Sequence, residues 1–357
     1  MITSTRARVH VGEDATALLA HHAATIDARA GVFCRTAAWL ERIVRTLGRE
    51  PVLVTVSDDQ DRLIGLLALE RRRRWGLTRV ATLGADLNDY APAFAADAAV
   101  AEAMAAALSA WLRTEQRWSL TLAQLDDAAL AEALTHATRA RVSTGPPMPA
   151  ITDVTAFVPS KGARKANAKT ANRLRADGRN WAFERHGATA PDGIVDELIA
   201  LRRERDHAHG RRSHLDAPEQ REFYRATVAH LLEHEGGAVH ALRVDGRLAG
   251  YVVVAHDAGT HRTWDGRVAV GFERYRAGAA CTWRAREEAA ADPRVERFDW
   301  LRGITQEKLH DHVVELPTLE ADSHRWITTL RAGGARARAA ARALVPTALR
   351  RRMWSRD

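Results

Sequence analysis

The stretch FDWLRGITQEKLHDH, Phe298 to His312, holds an aspartate inside a short apolar run. On a strand, Asp299 faces away from Phe298 and Trp300. An unpaired buried carboxylate is too costly to expect, so Asp299 either points into a cleft or pairs with a cation such as Arg302 or Lys308. A second candidate is RYRAGAACTWRAREEAA, Arg274 to Ala290. A strand, an Arg-rich turn, a glycine and then a helix make an anion site, because a helix N-terminus offers unpaired N–H groups and partial positive charge. Gly278 lets a phosphate approach the backbone, and Arg274 and Arg276 add paired donors. The competing reading is an ordinary capping glycine with solvated arginines.

A third candidate is the helix SKGARKANAKTANRLRADG. Lys161, Lys165, Lys169 and Arg173 fall at i, i+4 spacing, with Arg164 and Arg175 nearby. Like charges at that spacing repel, so a stripe of one sign asks for an anionic partner such as cofactor phosphates or tRNA. A solvated face is the plainer alternative. The histidine pairs 207/209 and 310/312 lack a supporting acid motif, and no CxxC is present, so no metal is expected. GxSxG, GxGxxG and GxxxxGK[ST] are all absent from the sequence, which argues against a nucleophile elbow, a dinucleotide fold and a P-loop.

The elements that must position these groups fall into two sets. The chain has 357 residues, a formal net charge of +8 and two cysteines far apart, Cys34 and Cys281. That length suits two domains, and the basic balance favours anionic partners. No disulfide framework, leader peptide or membrane span is evident, and the expected location is cytoplasmic.

In the first set, helical spacing at 36–48 is closed by Gly48. Strands are expected at 51–57, 63–70, 79–83 and 118–122, with helices at 98–113 and 127–137. The turn formers STGPPMP, 143–149, mark a linker. The second set begins with a strand at 151–157 and the basic helix at 160–177. A strand at 181–185 and helices at 192–207 and 218–235 follow, then strands at 238–244, 247–256 and 260–269. Asp245-Gly246 is a strong hairpin signal. A helix at 279–291, a strand at 297–301 and a further strand at 324–330 complete it. The order repeats that of the first set. The expected domains are 1–145 and 150–332, with a basic tail at 333–357. The class is α/β (α+β).

In this order the pieces resemble the GNAT superfamily, in its FemAB/CelD-like branch of double-GNAT proteins. FCRTAAWLERI resembles the family's N-terminal helix, and DRLIGLLALERRRRWGLTRVATLGADLNDY its segment ending in Asp-Tyr. The basic helix with NWAFER, the meander ALRVDG…RAREEA and FDWLRGITQEKLHDH resemble its later segments. The overlap spans roughly residues 33–312. Glu307 stands where the family has Tyr, and the Gly-rich donor loop is reduced to Ala277-Gly278.

The resemblance implies two tandem GNAT-like domains, each a mixed central sheet flanked by helices, with the acyl donor in the second. It implies acyl transfer from an acyl-CoA to an amine of a small molecule or of a cell-envelope or natural-product precursor. The donor's pantetheine would enter between splayed strands at 260–269, and its pyrophosphate would meet Arg274, Arg276, Gly278 and Ala279. The expected bases are Asp299 and Asp265, with His256 third. Tyr275 would protonate the leaving thiolate or pack. Backbone N–H groups around Val268 to Val270 would bind the oxyanion, and Arg302, Lys308, Lys165, Lys169 and Trp264 would bind substrate. Two alternatives stay open. One is an aminoacyl-tRNA donor, with the basic helix and tail as its track. The other is a non-catalytic scaffold in exopolysaccharide synthesis, its basic tail resting peripherally on an anionic membrane.

Overall fold

The computed structural model describes residues 5–189, 193–233, 236–303 and 309–333. Along the chain the elements are β1 (Arg6–Val11), α1 (Glu13–His21), α2 (Ala23–Ala30), α3 (Ala37–Leu47), β2 (Glu50–Ser57), β3 (Leu63–Arg74), β4 (Leu77–Thr82) and β5 (Ala93–Ala95). Then come α4 (Ala98–Leu112), β6 (Trp118–Leu122), α5 (Ala128–Thr138), β7 (Arg141–Thr144), β8 (Met148–Ile151), α6 (Lys161–Ala176), β9 (Trp181–His186), α7 (Ile194–Ala208) and α8 (Pro218–Glu233). The last are β10 (Ala238–Val244), β11 (Arg247–Asp257), β12 (Thr260–Val268), α9 (Ala277–Ala291), β13 (Arg297–Asp299), β14 (His312–Val314) and β15 (Pro317–Asp322). Two compact units result: residues 1–30, 34–145 and 316–357, and residues 31–33 and 146–315.

The first unit is one sheet in the order β1-β2-β3-β4-β6-β15-β7, with β5 paired to β3. Its helices start where the sequence supplies caps: Thr36, Asp97 and Asp127 each accept a backbone N–H three residues on. Gly48 ends α3 in the left-handed conformation, φ 60°. Val52, Val54, Val56, Leu67, Leu69, Val80, Leu120, Leu122 and Leu319 form the core with Val100, Met104 and Leu108 of α4. Leu53, which alternation puts on the opposite face, is equally buried.

The second unit repeats this plan, in the order β9-β10-β11-β12-β13-β8-β14. In both sheets a three-strand antiparallel meander is followed by one parallel neighbour, β4–β6 and β12–β13. The meander of the second unit carries Gly250, where α9 packs so closely that a Cβ would sit 2.9 Å from that of Ala277. Tyr251, on the other face, meets α8.

Three sequence expectations differ from what is observed. The stretch 316–332, counted with the second domain, folds with the first, because β15 inserts between β6 and β7. Residues 152–157 are a turn rather than a strand: Asp153 Oδ1 accepts from the amides of Thr155 and Ala156 at 3.0 and 2.9 Å. Residues 325–333 are helical rather than extended. The tail at 334–357 lies outside the described residues.

Candidate active site

The polar side chains of the second unit gather where β12 outruns its parallel neighbour. The β12–β13 ladder holds for three residue pairs and ends at Arg262↔Asp299. β13 then leaves toward β8: Trp300 N donates to Pro149 O at 3.0 Å and Gly303 N to Pro147 O at 2.9 Å. Thr263 Oγ1 reaches Trp300 O at 3.1 Å, a side-chain bridge just past the last pair. Beyond it β12 runs on to Val268 with β11 alone beside it among the described residues.

Two details shape this edge. The β11–β12 register slips between Val253↔Asp265 and Val254↔Thr263, so Trp264 is bulged. Its ring lies 5.2 Å from that of Tyr224. Ala269 N donates to Ala249 O at 2.9 Å. Antiparallel alternation therefore turns the backbone groups of Gly266 and Val268 away from β11. Their carbonyls are held by arginines, Gly266 O by Arg267 Nη1 at 2.7 Å and Val268 O by Arg205 Nη1 at 3.0 Å.

Asp265 sits at 8% exposure in the middle of this edge. It accepts from Tyr251 Oη at 2.7 Å and Tyr224 Oη at 2.8 Å, and it pairs with Arg202 at 3.0 Å and Arg267 at 3.3 Å. Burial pushes its pKa up, but the two guanidiniums and the phenol donors outweigh that and bring it to about 2. Burial, followed by the adjacent Asp265 charge, pushes the pKa of both tyrosines up. His214, in the turn between α7 and α8, belongs to the same electrostatic group. Its pKa is lowered by burial of the ring, then by Arg202, although the residue keeps an exposed edge.

Asp299 is 4% exposed and pairs with Arg262 at 2.5 Å; Lys308 lies outside the described residues. Its Oδ1 accepts from Leu301 N at 2.8 Å, which closes the turn that ends the strand. Leu301 and Gly303 both take positive φ there, 54° and 87°. Arg262 also donates to Asp257 at 2.7 Å, so one guanidinium joins the buried Asp299 to the half-buried Asp257.

The turn before α9 is built from its own side chains. Arg274 pairs with Asp177 and donates to Tyr275 Oη at 2.6 Å, and its carbonyl accepts from Arg173. Tyr275 is buried. Arg276 caps α9 in the left-handed conformation, φ 56°, with no side-chain cap bond. Ala279 lies half-buried in the first turn of the helix, and Val270 half-buried at the exit of β12. A Cβ on Gly278 would stand 2.8 Å from Val268, so packing against β12 already requires glycine there. Beside the turn, α6 is anchored by Thr170 and Leu174, while Lys165 and Lys169 are exposed with no ion pair among the described residues.

Sequence reasoning passed over Arg202, His214, Tyr224, Tyr251, Arg262 and Arg267. Part of the signal was present. Asp265 and Arg267 are two apart on a strand and share a face, while Arg202, Arg205 and Asp206 share a helix face.

Residues 161–309 match the family model described as Acetyltransferase (GNAT) domain. These residues of the second unit are therefore a GNAT acetyltransferase domain, which supports a transferase enzyme. Solved structures resemble the whole chain in fold. FemX is 9% identical, with TM-score 0.54 over 86% of this chain and 97% of that one. The DUF2156 C-terminal domain of an Agrobacterium fabrum protein assigned as a lysylphosphatidylglycerol synthetase is 14% identical, with TM-score 0.53 over 90% and 96%. A Bacteroides thetaiotaomicron protein of unknown function is 11% identical, with TM-score 0.53 over 85% and 97%. At these identities the likeness is one of fold. No curated protein matches the chain at a significant level. The chain thus carries a GNAT domain at 161–309, within a fold similar to that of FemX. Among the described residues no helix is long and apolar enough to cross a membrane, and no three His, Cys, Asp or Glu side chains are grouped to hold a metal.

Proposed function

We propose that the open edge of β12 binds a thioester donor, an acyl-CoA, and that an amine attacks its carbonyl directly. The observation that carries this reading is the parallel ladder that stops at Arg262↔Asp299 while β12 continues to Val268. An extended pantetheine arm can use the backbone groups that the missing strand leaves open. The amine nitrogen bonds to the acyl carbon, the C–S bond breaks, and the thiolate leaves. The amides of Gly266 and Val268, turned to the open side, are the oxyanion donors of this reading. The phosphates would meet the first turn of α9 at Ala277–Ala279, with Arg276 and the exposed Lys165 and Lys169.

The amine must lose a proton. Asp265 is a poor base because four donors and a pKa of about 2 hold it as a carboxylate. Asp299 is committed to Arg262 and Leu301 N. His214, kept neutral near pH 7 by its lowered pKa, is the base of this reading, directly or through a water. Asp265 and Tyr224 position, Tyr275 packs and holds Arg274, and Trp264 walls the acceptor side.

A second reading replaces the donor with an aminoacyl-tRNA. It is favoured by α6, whose cations run from Lys161 to Arg175, about 20 Å at 1.5 Å per residue. That is a longer track than one cofactor needs. Thermal unfolding with acetyl-CoA, longer acyl-CoAs, CoA and aminoacyl-tRNA separates the two. A ligand at 100 times its Kd should stabilise by about 2.7 kcal/mol. Stabilisation by tRNA alone, with ribonuclease-sensitive turnover, would replace the CoA reading.

A further inference from the structure

The first unit carries a surface that acyl transfer does not use. β3 ends in Arg71-Arg72-Arg73-Arg74, the turn is Trp75-Gly76, and β4 returns from Leu77. Both turn residues have positive φ, 51° and 71°, the form that Asn-Gly adopts most easily and a bulky residue resists. Trp75 nevertheless occupies it, 86% exposed, with the Arg74 guanidinium 4.1 Å from its ring. It takes a strained backbone position and buries almost nothing, so folding does not account for it.

The same end of the sheet gathers more of the same chemistry. β6 starts there at Trp118, paired with Thr78. Ser323 N donates to Trp118 O at 3.0 Å, and Trp326 follows at 45% exposure. Arg74, Arg79, Arg113, Arg117 and Arg325 are exposed and have no ion pair among the described residues. Of the acids near the hairpin, Glu115 is 10% exposed and taken by Arg71, Arg73 and Thr78, and Glu50 is paired to Arg71. Glu13 and Asp14 open α1 beyond β1, which is separated from β3 by β2.

We infer that this end of the first unit is a docking surface for an anionic lipid bilayer, with Trp75 seated among the headgroups. Tryptophan favours the membrane–water interface, and each arginine near an anionic surface adds attraction that salt weakens. The Trp75 ring stands at a protruding hairpin tip rather than in a groove, and Arg74 covers one of its faces. That suits insertion between headgroups better than stacking on a base, which needs a platform beside a phosphate track.

The test is co-sedimentation of the full chain with phosphatidylcholine vesicles, with and without phosphatidylglycerol. The wild type should sediment with the anionic vesicles and be released by salt. Trp75→Asn should be at least as heat-stable as wild type, because asparagine suits the turn, and should still lose most of the binding. Arg74→Ala should weaken it about five-fold, and Arg225→Ala, in the second unit, should leave it unchanged. Equal sedimentation of wild type and Trp75→Asn overturns the inference. So does a wild type that ignores anionic vesicles, or one that binds single-stranded RNA through Trp75 instead.

Discussion

The two units match over five strands, β1-β2-β3-β4-β6 and β9-β10-β11-β12-β13, and differ at the seam between the last two. In the first unit the parallel pair β4–β6 stays closed from Thr78↔Trp118 to Ala81↔Thr121, and Val80 and Leu120 are both buried there. In the second unit the matching pair β12–β13 holds Arg262 against Asp299 and then opens beside Thr263 and Asp265. An apolar seam is stabilised by staying shut. A seam lined with charges requires partners for each of them, and here arginines and tyrosines supply those partners while the amides of Gly266 and Val268 face the open edge. One topology thus serves as scaffold in one unit and as candidate site in the other.

Removing the strand that closes the first seam from behind should have the largest effect. A chain ending at Glu315 lacks β15 and should lose the cooperative unfolding of its first unit in calorimetry. Leu319→Ala, at a position that is 0% exposed, should alone cost about 2–5 kcal/mol. A stable first unit in the shortened chain would show that β15 is dispensable.

Asp265→Asn tests the charged seam. It leaves Arg202 and Arg267 without their counter-charge and should cost about 3–5 kcal/mol in denaturant unfolding. The pH dependence has a definite sign. The folded pKa of Asp265, about 2, lies below the reference value of 3.8. Its contribution of about 2 kcal/mol is therefore complete above pH 4 and fades as pH falls toward 2. Asp265→Asn should flatten that acid limb.

His214→Gln should lower kcat about 10²- to 10³-fold with little change in stability. In the wild type, kcat should rise with pH through a pKa below 6.5 and then level off, and the variant should lose that limb. An unchanged profile would take the base role from His214. The smallest effect belongs to Tyr251→Phe, which deletes one of the hydrogen bonds to Asp265 and should cost about 1–2 kcal/mol.

Much of the scaffold was legible because its signals are local. Alternation and Asp245-Gly246 announce the meander, and Thr36, Asp97 and Asp127 announce three helix starts. β15 was not legible, since PTLEAD alternates weakly and its partners, β6 and β7, lie in the first third and middle of the chain. For the site, Asp299 stood out as an acid in an apolar run and Asp265 as an acid near a strand end, and both are buried. Their partners did not stand out, because Arg262, Arg202 and Tyr251 become neighbours only through β-ladder register and helix packing. Arg302 and Lys308, close in sequence, were the legible candidates for Asp299; Arg262, which pairs with it across the parallel ladder, was not.

The central claim is that the donor enters the open seam of the second unit. Amide hydrogen exchange of the full chain, with acyl-CoA and separately with aminoacyl-tRNA, tests it most directly. One of the two ligands should slow exchange in Thr263–Val268 and in the first turn of α9, and leave β4 and β6 unchanged. Protection at the β4–β6 seam instead, or none along β12 with either ligand, would contradict it.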